Sequence, residues 1–156
     1  MASSDRWSDR LAELGITLPA VAAPVAAYVP AVRVGNQVWT SGQLPFVEGV
    51  LPATGKVGGA VTADDAQGYA RLCALNALAA VDALVGIDNV TRVLKIVGFV
   101  ASAEGFTGQP GVVNGASTLI GEVFGEAGAH ARSAVGVAEL PLGAPVEVEI
   151  VVEVAE

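Results

Sequence analysis

The end of the chain alternates between apolar and acidic residues, and this pattern constrains the fold more than any other feature. From Val146 to Val154 (VEVEIVVEV), the valines and the isoleucine at even positions point one way, and Glu147, Glu149 and Glu153 point the other. A period of two predicts a β-strand with one buried face. A sheet with one buried face needs helices packed against it.

Two segments supply such helices. Residues 64–86 begin after Thr62, carry Asp64 and Asp65 in the first turn and stop at Gly86, which fits a capped helix with a favourable dipole. Residues 112–126 form the second helix. Their apolar residues recur at helical spacing: Val112, Val113, Ala116, Leu119, Ile120, Val123 and Phe124.

The remaining β-rich segments complete a sheet. A hairpin is predicted over residues 29–44 with its turn at Gly35-Asn36, followed by strands at 92–100, 131–139 and 145–154. The order β-β-α-β-α-β-β predicts an α+β fold, a mixed sheet with both helices packed on one face. The other face then needs cover from another subunit. We expect Trp39 to be core or interface, and Gly98 to mark a strand approached by a neighbouring subunit's backbone.

Residues 1–27 are predicted to form an N-terminal arm ahead of a single domain over residues 28–156. The arm opens with a short amphipathic helix bearing Trp7, Leu11 and Leu14 and stopping at Gly15. An Ala/Pro-rich stretch over residues 18–25 should then run extended along the surface.

Composition favours an assembly and argues against some partners. The chain is 53% hydrophobic and only 15% charged, with a mean hydropathy of +0.58, so we expect an obligate homo-oligomer that buries surface between subunits. A net charge of −8 argues against nucleic acid and anionic membranes as main partners. The eight cations are scattered: Arg6, Arg10, Arg33, Lys56, Arg71, Arg92, Lys95 and Arg132.

Cysteine content and the start of the chain indicate the cellular compartment. The single cysteine, Cys73, allows no internal disulfide and no multi-thiolate metal site, and within a helix it should be a small buried residue. The polar start of the chain is unlike a signal peptide, and no run of 18 apolar residues occurs. We therefore expect a cytoplasmic protein with no membrane partner.

Arg132 stands out at the head of the apolar strand predicted over residues 131–139. A guanidinium in such a place needs an anion, and its planar fork suits a carboxylate or phosphate. The anion is either a small ligand or an internal glutamate. Glu147 is a candidate, because a hairpin of the last two strands would allow it to lie near Arg132, although the sequence does not fix the register.

Three blocks of sequence together are similar to the Rid (YjgF/YER057c/UK114) family. They are residues 28–45 with TSGQLP, residues 54–58 (TGKVG), and residues 131–141 (ARSAVGVAELP) followed by VEVE at 146–149. The resemblance covers roughly residues 24–155. It implies a chorismate-mutase-like fold assembled as a homotrimer with ligand clefts between subunits.

The resemblance also implies an activity, the hydrolysis of reactive 2-enamino and 2-imino acids to 2-keto acids and ammonia without metal or cofactor. By this comparison Arg132 binds the substrate carboxylate and Glu147 orients the attacking water. Tyr28, Ser41 and the backbone around Ser133 line the cleft. The family's cleft asparagine matches Asn114 or, aligned back from Phe124, Ser117.

The chain departs from the family pattern in ways that leave alternatives open. Ala134 replaces a cysteine that many members carry, and residues 106–114 are an added segment, so the natural substrate need not be 2-aminoacrylate. A non-catalytic binder of small carboxylates or keto acids is a second candidate function. A ribonuclease or translation inhibitor, and a purely structural trimer, are two more. His130, the lone histidine, is most simply a turn or cap residue.

Overall fold

The computed structural model of the chain describes residues 6–24 and 26–156. The first five residues of the polar start, and Val25 of the predicted arm, lie outside the described residues. The helices are α1 (Trp7–Glu13), α2 (Ala63–Val85) and α3 (Gln109–Phe124). The strands are β1 (Ala31–Val34), β2 (Gln37–Thr40), β3 (Val90–Ala101), β4 (Ala131–Val137) and β5 (Val146–Val154).

The strands form one mixed sheet in the order β1-β2-β5-β3-β4. The α+β order of elements predicted from the sequence is confirmed, and the chain has the chorismate-mutase-like architecture. Among these five strands, β3 and β4 pair in parallel, whereas β3 and β5, β5 and β2, and β2 and β1 pair antiparallel.

The predicted pairing of the last two strands is wrong. β4 and β5 do not form a hairpin, because β3 lies between them and pairs with both. Their connection crosses the end of β3, where the Ala101 N–H donates to the Pro145 carbonyl at 2.9 Å and the Ser102 N–H donates to the Val137 carbonyl at 3.0 Å. The apolar β3 thereby satisfies backbone groups on both edges, as a central strand must.

The alternating pattern of β5 works as the sequence predicts. Its even-numbered residues are buried and its odd-numbered residues are only partly so. Helices α2 and α3 cover the buried face, where Cys73 is fully buried and its thiol lies 3.5 Å from the Val146 carbonyl oxygen. Burial raises the pKa of that thiol well above its usual range, so it stays protonated.

Gly98 has a role within one chain that the sequence did not predict. A Cβ at Gly98 would lie within 3 Å of the Val113 side chain, so this glycine lets α3 of the same chain approach β3 closely. The packing of α3 explains the glycine within one chain, and the approach of a neighbouring subunit's backbone to this strand stays a prediction. The close contact matters for the site, because it fixes the part of α3 that carries Asn114 and Ser117.

Helix α2 is long and apolar enough to cross a membrane by length and composition, with a mean hydropathy of 1.3 over its most apolar stretch. Half of that stretch is buried inside the domain, and its contacts with β5 and α3 are those of a core helix. The same apolar face that gives the hydropathy value covers the sheet.

Glycine at position 115 permits the close crossing of α3 over α2. A Cβ there would collide with the Gln67 backbone carbonyl, which cannot move aside as a flexible side chain would. We expect Gly115→Ala to lower the free energy of unfolding by about 1–3 kcal/mol, the usual cost of overpacking. Gly121→Ala, on the same helix with open space around it, should instead raise it by about 0.5–1 kcal/mol. Urea unfolding of both variants measures the difference, and an unchanged Gly115→Ala midpoint would contradict the contact.

The amphipathic helix of the predicted arm docks on the domain. Trp7 packs edge-on against Phe124 with ring centroids 5.1 Å apart, and its indole N–H donates to the Val90 carbonyl at 2.6 Å. Leu11 is buried, and the Ser8 hydroxyl donates to Asp88 at 2.7 Å. The first described residues thus hold the end of α3 to the start of β3.

The face of the sheet opposite the helices carries large apolar side chains in contact with solvent. Trp39 is 51% exposed, which excludes the core as its place, and Val32, Val34 and Val135 are also exposed. A concavity on this face is lined by residues of β2, β3 and β5, among them Trp39, Val97 and Val151. We call this surface the open face.

Candidate functional site

Arg132 forms a polar cluster with two residues of α3. As the second residue of β4 it pairs with Ile96, which directs its side chain to the helix side of the sheet. Its Nη1 donates to Asn114 Oδ1 at 2.7 Å and to Ser117 Oγ at 3.3 Å. Both candidates for the cleft position therefore contact the arginine, and we call the three residues the arginine cluster.

Among the described residues, the hydrogen bonds of the cluster leave one edge of the guanidinium available. Asn114 and Ser117 take up both N–H groups of Nη1. The Nε and Nη2 edge then presents two parallel N–H donors, which is the arrangement that binds a carboxylate with two hydrogen bonds. Both acceptors on Nη1 are neutral, so they orient the guanidinium without cancelling its charge.

The internal ion pair considered for Arg132 is not formed among the residues that the structure describes. Across residues 6–24 and 26–156, the ion pairs join Arg6 to Asp9, Arg10 to Glu13, Lys56 to Glu139 and Arg71 to Glu122. Arg132 is half-buried and has no carboxylate within ion-pair distance among these residues. A charge in this setting favours an anion from outside.

Tyr28, Ser41 and Glu147 belong to a second region of the surface. The Ser41 hydroxyl donates to the Val29 carbonyl at 2.6 Å, which ties the turn after β2 to the segment carrying Tyr28. Tyr28 is 43% exposed and lines a groove with Gly42 and residues 22–24 of the arm. Glu147 lies against Gly42, where any Cβ would collide with its carboxylate.

Glu147 is half-buried on the open face of β5. Burial raises the pKa of its carboxyl above the ordinary value of 4.5, and the nearby charge of Glu149 raises it further. No hydrogen bond to the Glu147 carboxylate occurs among the described residues. A carboxylate in this condition is a stronger base than one in water.

The structure does not bring Arg132 and Glu147 together within one chain. Arg132 pairs with Ile96 on β3, and Ile96 pairs with Ile150 on β5. Arg132 is therefore two strands away from β5 and level with a residue three positions after Glu147. Strand spacing and register set their Cα atoms roughly 14 Å apart. The two side chains also leave opposite faces, since Arg132 points to α3 and Glu147 to the open face. Ser133 pairs with Val97 and lies on the open face too.

Sequence reasoning missed two features of these regions. Gly42 makes room for the Glu147 carboxylate, although the TSGQ motif gives a signal only for a turn. Ser117 also contacts His130, with Oγ and Nε2 2.9 Å apart, while His130 Nδ1 lies 2.6 Å from the Gly128 carbonyl oxygen. Within the described residues, no group of three or more His, Cys, Asp or Glu side chains is placed to hold a metal ion.

Comparison with known proteins agrees with this architecture. A family model described as "YjgF/chorismate mutase-like, putative endoribonuclease" matches residues 8–154. Protein TCP17 from Trypanosoma cruzi is 48% identical over 155 residues, which are 98% of this chain and 97% of that protein. The crystal structure of Atu1372, a protein of unknown function from Agrobacterium tumefaciens, is 47% identical with a TM-score of 0.88, over 96% of this chain and 92% of that one. E. coli TdcF with bound serine is 28% identical with a TM-score of 0.66, over 89% of this chain and 96% of that one.

The fold and the position of the arginine cluster define an α+β protein of the chorismate-mutase-like class. Within that class, the chain belongs to the YjgF/chorismate mutase-like family, the Rid family that its sequence blocks resemble.

Proposed function

We propose that this protein hydrolyses reactive 2-imino and 2-enamino acids to 2-keto acids and ammonia, with Arg132 binding the substrate carboxylate. The observation that carries the proposal is the orientation of the Arg132 guanidinium. It has neutral partners on Nη1, and the described part of the chain leaves its two-donor edge open. The serine bound to TdcF is an amino acid, so a relative of this chain accommodates the same carboxylate class.

The proposed site lies between subunits of a homotrimer. The arginine cluster is on the helix side of the sheet, and Tyr28, Ser41 and Glu147 are in a separate region, so one chain offers two halves of a cleft. A neighbouring copy would bring its Glu147 region to the Arg132 of the first. The exposed apolar side chains of the open face support such an assembly, because burying them between copies is favourable.

Replacing an apolar residue of the open face by a charged one tests the assembly. We expect Trp39→Glu to shift the protein from trimer to monomer in sedimentation velocity, because a buried unpaired carboxylate is costly at an interface. Leu84→Glu is the matched control, since Leu84 is 46% exposed on α2, away from the open face. A Trp39→Glu protein that stays trimeric, or a wild type that is monomeric at micromolar concentration, would contradict the proposed interface.

The proposed reaction adds water across the C=N bond of the imine, which a 2-enamino acid reaches by moving a proton from nitrogen to its β-carbon. Arg132 binds the carboxylate and thereby holds the imine carbon beside the water that Glu147 orients. Glu147 accepts a proton from the water as its oxygen bonds to carbon, and passes this proton to the nitrogen. In the resulting carbinolamine the hydroxyl proton moves to the amino group, the C–N bond breaks, and the keto acid and ammonia form. Tyr28 and the backbone around Ser133 close the cleft around the substrate.

Imine hydrolysis by the purified protein tests the function directly. An amino-acid oxidase generates imines from a panel of amino acids, and semicarbazide traps the imine that remains. We expect the wild-type protein to accelerate the loss of imine over the rate in water. This acceleration should disappear with Arg132→Ala. If no substrate is hydrolysed faster but keto acids bind, the enzyme hypothesis is contradicted. The non-catalytic binder of small carboxylates then becomes the better description.

The ribonuclease suggested by the family description needs a separate assay. The net charge of −8 and the scattered cations do not provide a surface for the RNA backbone. RNA degradation that persists equally in Arg132→Ala purified in parallel would indicate a contaminant. Degradation that disappears only in that variant would favour a nucleotide as the ligand of the cluster.

A further inference from the structure

His130 is the single histidine of the chain, and its hydrogen bonds fix the state of one ring nitrogen. Nδ1 lies 2.6 Å from the Gly128 carbonyl oxygen, which can only accept a hydrogen bond. Nδ1 therefore carries a hydrogen whether the ring is neutral or charged. Nε2, 2.9 Å from Ser117 Oγ, is left to accept from Ser117 when the ring is neutral or to donate when it is charged.

The two states of His130 give the Ser117 hydroxyl opposite directions. Beside a neutral ring, Ser117 donates to Nε2 and accepts from Arg132, so its hydrogen is used inside the protein. Beside a charged ring, Ser117 Oγ accepts from both Nε2 and Arg132 Nη1, and its hydrogen is freed to donate elsewhere. The charged ring also adds a second cation one hydroxyl away from the guanidinium.

We propose that Ser117 and His130 make the arginine cluster a proton-linked anion site, in which anion binding and protonation of His130 favour each other. An anion on Arg132 offsets the repulsion between the two cations, and the freed hydroxyl supplies a further donor. By linkage, the anion binds more tightly when His130 is charged, and His130 holds its proton more tightly when the anion is bound. This proposal rests on the anion-binding role of Arg132 but not on catalysis.

The other charged groups around His130 do not take over this role. The elements packed near it carry Glu122 on α3, Glu126 on the 3-10 turn, Lys95 on β3 and Arg132 on β4. Glu122 accepts from Arg71 at 3.3 Å, and Lys95 lines the concavity of the open face on the other side of the sheet. Among the described residues, Arg132 is the charged group that shares Ser117 with the ring.

Titration calorimetry with pyruvate tests the linkage, because the pyruvate carboxylate stays ionised over the whole range. The experiment uses the Glu147→Gln background so that this carboxylate does not contribute to the pH dependence. We expect affinity about fivefold or more higher at pH 5.5 than at pH 8.5, with proton uptake on binding. His130→Gln and Ser117→Ala should reduce this dependence strongly, whereas Glu126→Gln should retain it.

The outcomes separate this inference from the proposed function. Binding that needs Arg132 but is independent of pH would overturn the proton linkage and leave the carboxylate site standing. No binding of pyruvate at all would overturn both.

Nitrogen NMR of the histidine ring gives a readout that needs neither ligand binding nor activity, and the single histidine makes the assignment unambiguous. The expected neutral form carries its hydrogen on Nδ1, where the Gly128 carbonyl oxygen lies 2.6 Å away. A dominant Nε2–H form would overturn the proposal, because Ser117 would then have no acceptor on the ring.

Discussion

Replacing Arg132 by alanine should reduce kcat/KM for imine hydrolysis by about 100-fold or more, while the protein stays folded. In the proposed cleft the contact between Arg132 and the carboxylate is buried between subunits. Loss of one partner from a buried charged contact costs about 2–5 kcal/mol, and each 1.4 kcal/mol is tenfold. The effect should fall on kcat as well as KM, because the carboxylate contact also positions the imine carbon. Semicarbazide trapping with a fixed imine donor measures both constants.

Two further variants decide what the arginine contributes. Arg132→Lys keeps the charge but loses the two-donor edge, so its activity should lie between wild type and Arg132→Ala. Arg71→Ala removes an exposed arginine of α2 that pairs with Glu122, and it should leave the rate unchanged. If Arg132→Ala keeps activity within about threefold of wild type while the melting temperature is unchanged, the carboxylate is bound elsewhere.

The order of elements could be predicted because each has a local signal. The alternation of β5, the caps of α2 and the turn at Gly35-Asn36 are properties of short stretches of sequence, and all three occur where they were expected. The pairing of β4 and β5 could not be obtained in this way. Short connections favour neighbouring strands, but here the connection crosses the end of β3, and only the need of β3 for two partners explains the arrangement.

The candidate site could be predicted only in part, because some of its residues have a local signal in the sequence and others do not. Arg132 could be singled out because an arginine is rare at the head of an apolar strand, and Glu147 because it lies on the alternating last strand. Tyr28 and Ser41 were found only through resemblance. The distribution of these residues over two regions depends on register and on the central place of β3. The contact of Ser117 with His130 joins residues 13 apart through a 3-10 turn, and no periodic pattern in the sequence predicts it. The catalytic roles themselves remain predictions.

Glu147→Gln should lower kcat by about 10²–10⁴, the usual contribution of a general base, and should also remove the acid limb of the pH profile. Burial and the charge of Glu149 raise the pKa of the Glu147 carboxyl, so the wild-type limb should lie above 4.5. Glu149→Gln removes the smaller of the two causes. This variant should move the acid limb of the profile to lower pH without lowering the maximal rate. The same imine donor is used for each variant, so that the titration of the substrate affects all profiles equally.

The same raised pKa predicts that Glu147→Gln stabilises the protein at neutral pH. A carboxyl whose pKa is raised on folding binds more protons in the folded chain than in the unfolded chain. Stability therefore falls as pH rises from about 4.5 through the folded pKa, and the full penalty is present above it. Glutamine carries no such penalty, so its melting temperature should exceed that of the wild type at pH 7–8 and the difference should shrink towards pH 4. A variant that loses activity and stability together at pH 7–8 would instead assign Glu147 a structural role, because a base kept half-buried for its reaction should cost stability rather than provide it.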